Sequence, residues 1–276
     1  CLRPRKEVYK PLGRVGRRFY VDVHASANGR GGARPHIVFD GDKCVRMARL
    51  VDIPAVEGDE VYVDVIPPTM YEDVSALLRR GVRVFRLRRT DLIAAYRDRL
   101  SLPKNDENDA KLLSMLDRDC FVEVIVECVE LMKLIAEYHK QLNILKLLRQ
   151  LEAPAEAINI IRRNKIKLAR QIISMANISI SRYRNLCEVL KLSDNCLYGK
   201  VALADILLHV DFTTKLRRII CYIGLYRPNN GKYNHRLKQA ANSLAISYYR
   251  KNRIKAREVR ELLKKIKNYV RAGGPA

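Results

Sequence analysis

Long apolar runs are missing from this sequence. The most hydrophobic stretches, Cys120–Glu137 and Val201–Val210, are interrupted by Glu or Asp and fall short of the roughly 20 residues that a membrane span needs. Paired cysteines are missing too. Cys1, Cys44, Cys120, Cys128, Cys187, Cys196 and Cys221 are scattered, odd in number and without a CxxC spacing, which excludes the pattern of a disulfide-stapled secreted scaffold. Five dispersed His supply no local zinc pattern. Cys1–Tyr20 is basic throughout and lacks the apolar segment of a signal peptide. No P-loop, GxGxxG, HExxH or GxSxG sequence occurs, so the signatures of common nucleotide, dinucleotide, zinc-protease and serine-hydrolase sites are absent. Acidic residues are scarce as well: 30 Asp+Glu against 53 Lys+Arg leave a net charge of +23.

What is present begins with 48% hydrophobic residues over 276 positions, enough for one large or two modest domains and too many for a disordered chain. The positive charge is concentrated. Arg3, Arg5, Lys6, Lys10, Arg14, Arg17 and Arg18 face only Glu7 in the first twenty residues, and Arg79, Arg80, Arg83, Arg86, Arg88 and Arg89 form a second group. From Gly199 onward eighteen Lys/Arg are opposed by Asp205, Asp211, Glu258 and Glu261 alone. Three basic regions favour a polyanionic partner, because neutralising phosphates releases counterions. The ion-pair networks of thermophile surfaces raise Glu together with Lys and would not give this imbalance.

Residues 1–16 read as a basic arm. Alternating apolar positions predict strands at Arg18–His24, Glu60–Ile66 and Val82–Leu87, with shorter ones at His36–Phe39 and Cys44–Leu50 around Asp40-Gly41, after a Gly-rich turn over Ala25–Pro35. Met70–Arg80 reads as a helix closed by Gly81, and Thr90-Asp91 as the start of another, with the Thr hydroxyl as cap. The alternation predicts an α/β domain over 17–116. From Asn105 to about Leu192 no strand is predicted. Leu131, Leu134, Ile135, Tyr138, Leu142, Leu145 and Leu148 recur at three and four, giving a long helical, coiled-coil-like middle over 117–195 that is broken at Pro154. Two helical segments flank His209-Val210-Asp211, and basic helices follow at Lys232–Tyr249 and Lys255–Tyr269, making a helical domain over 196–276.

Four acids stand out. Asp22 and Asp64 lie within apolar strand segments, and Asp106 and Asp109 sit three apart at a helix start, on one helical face. Each has a plain explanation: a solvent-facing strand residue for the first two, an N-cap and a first-turn acid for the others. Together on one sheet they would form a negative cluster that needs divalent cations with oxygen ligands, Mg²⁺ or Mn²⁺. Two such ions about 4 Å apart activate the attacking oxygen and stabilise the leaving oxygen in phosphodiester chemistry. His24 stands close to the first acid, with a structural strand role as its plain explanation. Tyr222, Tyr226, Tyr233, Tyr248 and Tyr249, interleaved with cations, could stack bases, or could be core and rim residues.

KNDENDAKLL at Lys104–Leu113 resembles the K-x-D-x-x-D-A-x-x-[LI] signature of the DEDD insertion-sequence transposases, and other segments match in the same order. YVDVHAS at Tyr20–Ser26 is similar to the family's first strand, VYVDVIPPTMY at Val61–Tyr71 to its second acidic segment, and Gly199–Leu225 to its C-terminal G-x-G…Y-x-G-L segment. The resemblance implies an RNase H/RuvC-like domain, a helical middle and a helix-hairpin-helix C-terminal domain. It implies Asp22, Asp64, Asp106 and Asp109 as catalytic metal ligands, with Glu60 as runner-up for the second acid and Asp64 standing where the family has Glu. It further implies DNA as substrate, Mg²⁺ or Mn²⁺ as cofactor, homo-oligomerisation, a non-coding guide RNA, and a cytoplasmic, nucleoid-associated location without a membrane. Lys200, Lys215, Arg217, Arg218, Arg227, Lys232 and Arg236 are the expected nucleic-acid contacts. One departure stands out: where the family loop carries a nucleophilic Ser, this chain has Asn229 and Asn230, which cannot act as oxygen nucleophiles. Ser243 is the nearby substitute considered, against a plain role as a small helix-face residue. The expected function is metal-dependent strand cleavage and transfer of a mobile element. The alternatives are a RuvC-like structure-specific nuclease or an inactive nucleic-acid-binding relic.

Overall fold

The computed structural model describes residues 16–24, 34–226 and 234–272. Residues 1–15 of the expected arm, most of the Gly-rich turn, Arg227, Asn229, Asn230, Lys232 and Tyr233 lie outside them. The chain divides into two compact units at Glu130/Leu131.

The first unit is built on a six-stranded sheet of β1 (Arg18–Asp22), β2 (His36–Phe39), β3 (Cys44–Met47), β4 (Glu60–Val63), β5 (Arg83–Leu87) and β6 (Phe121–Val124), in the order β3-β2-β1-β4-β5-β6. β1, β4 and β5 run parallel. β2 is antiparallel to both β1 and β3, and β6 is antiparallel to β5. The β2–β3 hairpin turns at Asp40-Gly41, where Gly41 takes φ 103°, a conformation that favours glycine. β4 is followed by a 3-10 turn at Pro68–Met70 and then α1 (Tyr71–Arg79), closed by Gly81 at φ 77°. α1 packs along β5. Helices α2 (Asp91–Arg99) and α3 (Asp106–Ser114) follow β5.

Alternation explains how both sheet faces are buried. Tyr20, Tyr62 and Phe85 are cross-strand neighbours by register and stack with centroids 5.1 and 4.8 Å apart, while Phe121 of β6 meets Tyr62 edge-on at 4.9 Å. Leu112 and Leu113 of α3 and Ile93 of α2 pack on this aromatic row. Such ring pairs contribute about 0.5–1.5 kcal/mol each beyond their buried area. Phe19, Val21, Val61, Val63 and Val84 alternate to the opposite face and are buried.

Several expectations are corrected. Strands β1 and β4 end at Asp22 and Val63, so Asp22 is the last residue of its strand and Asp64 lies one beyond its own, rather than inside it. Phe121–Val124 is a strand in a stretch expected to be wholly helical. Thr90 precedes α2 with helical φ/ψ and makes no capping bond. Asn105, not Asp106, caps α3 by accepting the Asn108 N–H at 2.7 Å.

The second unit is helical. α4 (Val126–Gln150) begins in the first unit and continues into the second, and Pro154 precedes α5 (Ala155–Ser179). Leu131, Ile135, Tyr138 and Leu145 are buried along α4, spaced to keep one stripe inward. α6 (Tyr183–Val189), α7 (Leu197–His209), α8 (Leu216–Ile223), α9 (His235–Tyr249) and α10 (Ala256–Arg271) complete the unit. The expected linker over 117–195 is therefore shared, with β6 in the first unit's sheet and α5 and α6 grouped with the C-terminal helices. α7 is central, with Val201, Leu203, Ala204 and Ile206 all buried. Gly199 lets α9 approach closely, since a Cβ there would sit 2.5 Å from the Ser247 Cβ. Among the described residues no helix is long and apolar enough to cross a membrane.

Candidate functional site

The first site grows out of strand register. The β1–β4 pairing sets Tyr20 opposite Tyr62 and Val21 opposite Val63. One step further brings Asp22 opposite Asp64. Both acids share the pleat parity of the tyrosines, so they leave the C-terminal ends of adjacent parallel strands toward the face that α3 covers. α3 packs on β1 and β2, carrying Asp106 and Asp109 in its first turn. Asp64 Oδ1 accepts the Val23 N–H at 3.0 Å. His24 Nε2 lies 3.6 Å from Asp22 Oδ2 and 3.3 Å from Asp106 Oδ2. One ligand atom each from Asp22, His24 and Asp106 lie within 4.8 Å of one another.

The electrostatics are those of an acid cluster short of cations. Burial, reinforced by Asp109 and Asp106 and opposed by His24 and Arg97, pushes the Asp22 carboxyl up to about 6. Burial again, with Asp22 adding to it and the Val23 N–H opposing, pushes Asp64 up to about 7. The side chain of Asp22 is 13% exposed, that of Asp106 52%. His24 Nε2 is a buried nitrogen without a hydrogen-bond partner. Two carboxylates and an imidazole nitrogen converging on a space that leaves this nitrogen unsatisfied fit a divalent cation.

Asp109 is handled differently. Arg97 of α2 grips it through Nε and Nη2, at 3.0 and 2.7 Å to Oδ1 and 2.6 Å to Oδ2. Glu60 begins β4, four residues from Asp64, and is surrounded by Arg18, Arg83 and Arg118 at 3.0 to 3.3 Å. It belongs to the other end of the sheet. Arg97 and His36 were not anticipated. His36 is buried and accepts the His24 N–H at 3.2 Å on Nδ1, and burial lowers its pKa, helped by the charge of His24. Arg97 sits on a predicted helix, but the sequence alone does not pair it with Asp109.

The expected nucleic-acid residues that the structure describes divide in two. Lys215, Arg217 and Arg218 are exposed at the start of α8. Lys215, Arg218 and Tyr222 follow one another at three and four along a face that leaves Tyr222 49% exposed, while Ile219 and Ile223 hold the helix inward. α8 has no capping side chain and no acid in its first turn, so cations crowd the positive end of the helix dipole. Lys200 and Arg236 are engaged instead. Lys200 Nζ binds Asp194 at 2.8 Å, and Arg236 Nη2 lies 3.3 Å from Asp205. Ser243 and Ser247 lie in α9, and Ser247 packs against Gly199. Arg227 and Lys232 lie outside the described residues.

Compared with known proteins, the chain matches no protein-family model and no curated protein.

Proposed function

We propose that this chain is a metal-dependent DNA strand-cleaving and strand-transferring enzyme of the DEDD transposase type, with an RNase H-like catalytic domain and a DNA-holding helix-hairpin-helix domain. The observation that carries it is the meeting of Asp22, His24 and Asp106 within 4.8 Å of one another at the ends of a strand and a helix, with Asp64 one step along the neighbouring parallel strand and outside that group, in a chain of net charge +23. The strand order supports it further. β3-β2-β1-β4-β5, with only β2 running against the other four, is the order of an RNase H-like sheet.

Asp22 and Asp106, with His24, would hold a divalent cation such as Mg²⁺ or Mn²⁺, and Asp64 would support it from beside Asp22. A bound cation supplies charge neutralisation at the scissile phosphate and lowers the pKa of the attacking oxygen. The chain's own contribution is positional. The sheet fixes Asp22 and Asp64, α3 fixes Asp106, and a bound cation would favour the ionised form of the raised Asp22 and Asp64 carboxyls. Lys215, Arg217 and Arg218 would bind backbone phosphates, at an α8 terminus that itself favours anions. DNA, a guide RNA and further copies of the chain are the proposed partners, and a nucleoid-associated cytoplasmic location follows from that role.

The test is cleavage of the mobile element's end DNA, with and without divalent metal, by wild type and by Asp106→Ala. Product from the wild type alone, and only with metal, is expected. Equal cleavage by both proteins would remove the metal-site assignment, and cutting of branched DNA irrespective of sequence would point to a structure-specific nuclease.

A further inference from the structure

We infer that His24 is a direct metal ligand and takes the coordination position that Arg97 denies to Asp109, so that the site prefers a transition ion such as Mn²⁺ to Mg²⁺. The inference rests on the metal reading of the cluster and narrows it to this chain's own ligand set. Three observations carry it.

The first is distance. Ligands about 2.1 Å from one ion lie about 3 to 3.5 Å apart at adjacent positions, and His24 Nε2 stands 3.3 Å from Asp106 Oδ2 and 3.6 Å from Asp22 Oδ2. The second is satisfaction. Nε2 is buried with no hydrogen-bond partner, although two carboxylate oxygens are nearby. A buried nitrogen in that condition is costly, and a cation at the focus of the three groups would accept its lone pair. The third is the state of Asp109. Both of its oxygens are engaged by the Arg97 guanidinium, and the two side chains are only 13% and 15% exposed. A carboxylate in a buried bidentate pair is held by its partner and is not free to turn toward an ion. The remaining set is two carboxylates and an imidazole. Mg²⁺ is bound through oxygen and keeps its waters, whereas first-row transition ions accept imidazole nitrogen more readily, and among them Mn²⁺ is the one that shares the carboxylate and water ligands of Mg²⁺.

The rival is a metal-free imidazolium, with His24 protonated and paired to both acids. The two are separated by titrating the full chain with Mn²⁺ and recording electron spin-echo modulation from directly bound ¹⁴N, alongside competition with Mg²⁺. The expected result is bound Mn²⁺ carrying one imidazole ¹⁴N coupling, displaced only by a large excess of Mg²⁺. In His24→Gln the coupling disappears and Mn²⁺ affinity falls at least tenfold. In His24→Asp an all-oxygen set narrows the preference for Mn²⁺ over Mg²⁺. Mn²⁺ bound without ¹⁴N coupling in the wild type overturns the role of His24 and leaves the acid site standing. No Mn²⁺ bound by the wild type, with Asp22→Asn indistinguishable from it, overturns the metal reading as well.

Discussion

Asp64 in the first unit is half-buried and Asp205 in the second buried, and their surroundings push them in opposite directions. Asp205 lies on α7 and is 1% exposed. His139 Nε2 meets its Oδ2 at 2.8 Å, while His209 Nδ1 and Arg236 Nη2 lie 3.0 and 3.3 Å from Oδ1. Burial alone would raise this carboxyl. The bonds from His139 and His209 and the charges of His209 and Arg236 overcome that and hold it far below the usual carboxylate range. Asp64 has a backbone N–H and a neighbouring acid, and rises to about 7. A buried carboxylate supplied with cations by its own chain ties helices together. One left without them is held toward its neutral form.

The sharpest way to break this comparison is to remove Asp205. Asp205→Asn leaves His139, His209 and Arg236 facing an uncharged amide and is expected to cost about 3–5 kcal/mol in urea unfolding at pH 7. Because the native carboxyl is depressed, its contribution is present above its unfolded value, about 3.9, and is lost as pH falls below that. The gap between variant and wild type should therefore close in acid. A full penalty persisting at pH 3 would show that shape rather than charge holds α4, α7 and α9 at this point.

Asp64→Asn should act with the opposite sign. A carboxyl raised to about 7 stabilises the fold fully only below its unfolded value, and that contribution is lost as pH rises through 7. The variant should match wild type near pH 4 and exceed it by about 1–3 kcal/mol at pH 8.5. Mn²⁺ at a hundred times its dissociation constant should return about 2.7 kcal/mol to the wild type and much less to the variant. Thermal melts with and without metal at the two pH values check both statements.

Among the described residues, Arg97 is the guanidinium that pairs with an acid of the cluster. Arg97→Gln leaves Asp109 unpaired beside Asp22, which should raise the Asp22 carboxyl further and destabilise the metal-free protein by about 1–3 kcal/mol. The same change frees Asp109 oxygens to bind metal, so Mn²⁺ affinity should rise while stability falls. Calorimetric titration beside a urea melt reads the two effects separately.

How much of this was legible depended on range. Period-two alternation marked β1 and β4, and with them the parity that sends Asp22 and Asp64 to one face. The three-residue spacing of Asp106 and Asp109 marked a shared helical face. β6 escaped because Phe121–Val124 is four residues long and abuts α4, beginning at Val126, with no turn residue between, so its alternation merges into the helical pattern. The Arg97–Asp109 clamp spans 12 positions and the His139–Asp205 contact 66. No local period encodes such pairings. For the same reason Arg236 and Lys200 read as free cations in a basic segment, whereas the fold assigns each an acid.

That last distinction gives the smallest expected effect. Lys215 and Arg218 are exposed at the start of α8, and no salt bridge to either occurs among the described residues. If they bind phosphates, each replacement by Ala should flatten the dependence of log affinity for duplex DNA on log salt by about 0.9, with a several-fold loss at low salt. Arg236 already serves Asp205, so Arg236→Ala should lower the melting temperature while changing the salt slope little. Equal slopes for Lys215→Ala, Arg218→Ala and wild type would move the DNA-binding face away from α8, to another of the basic segments.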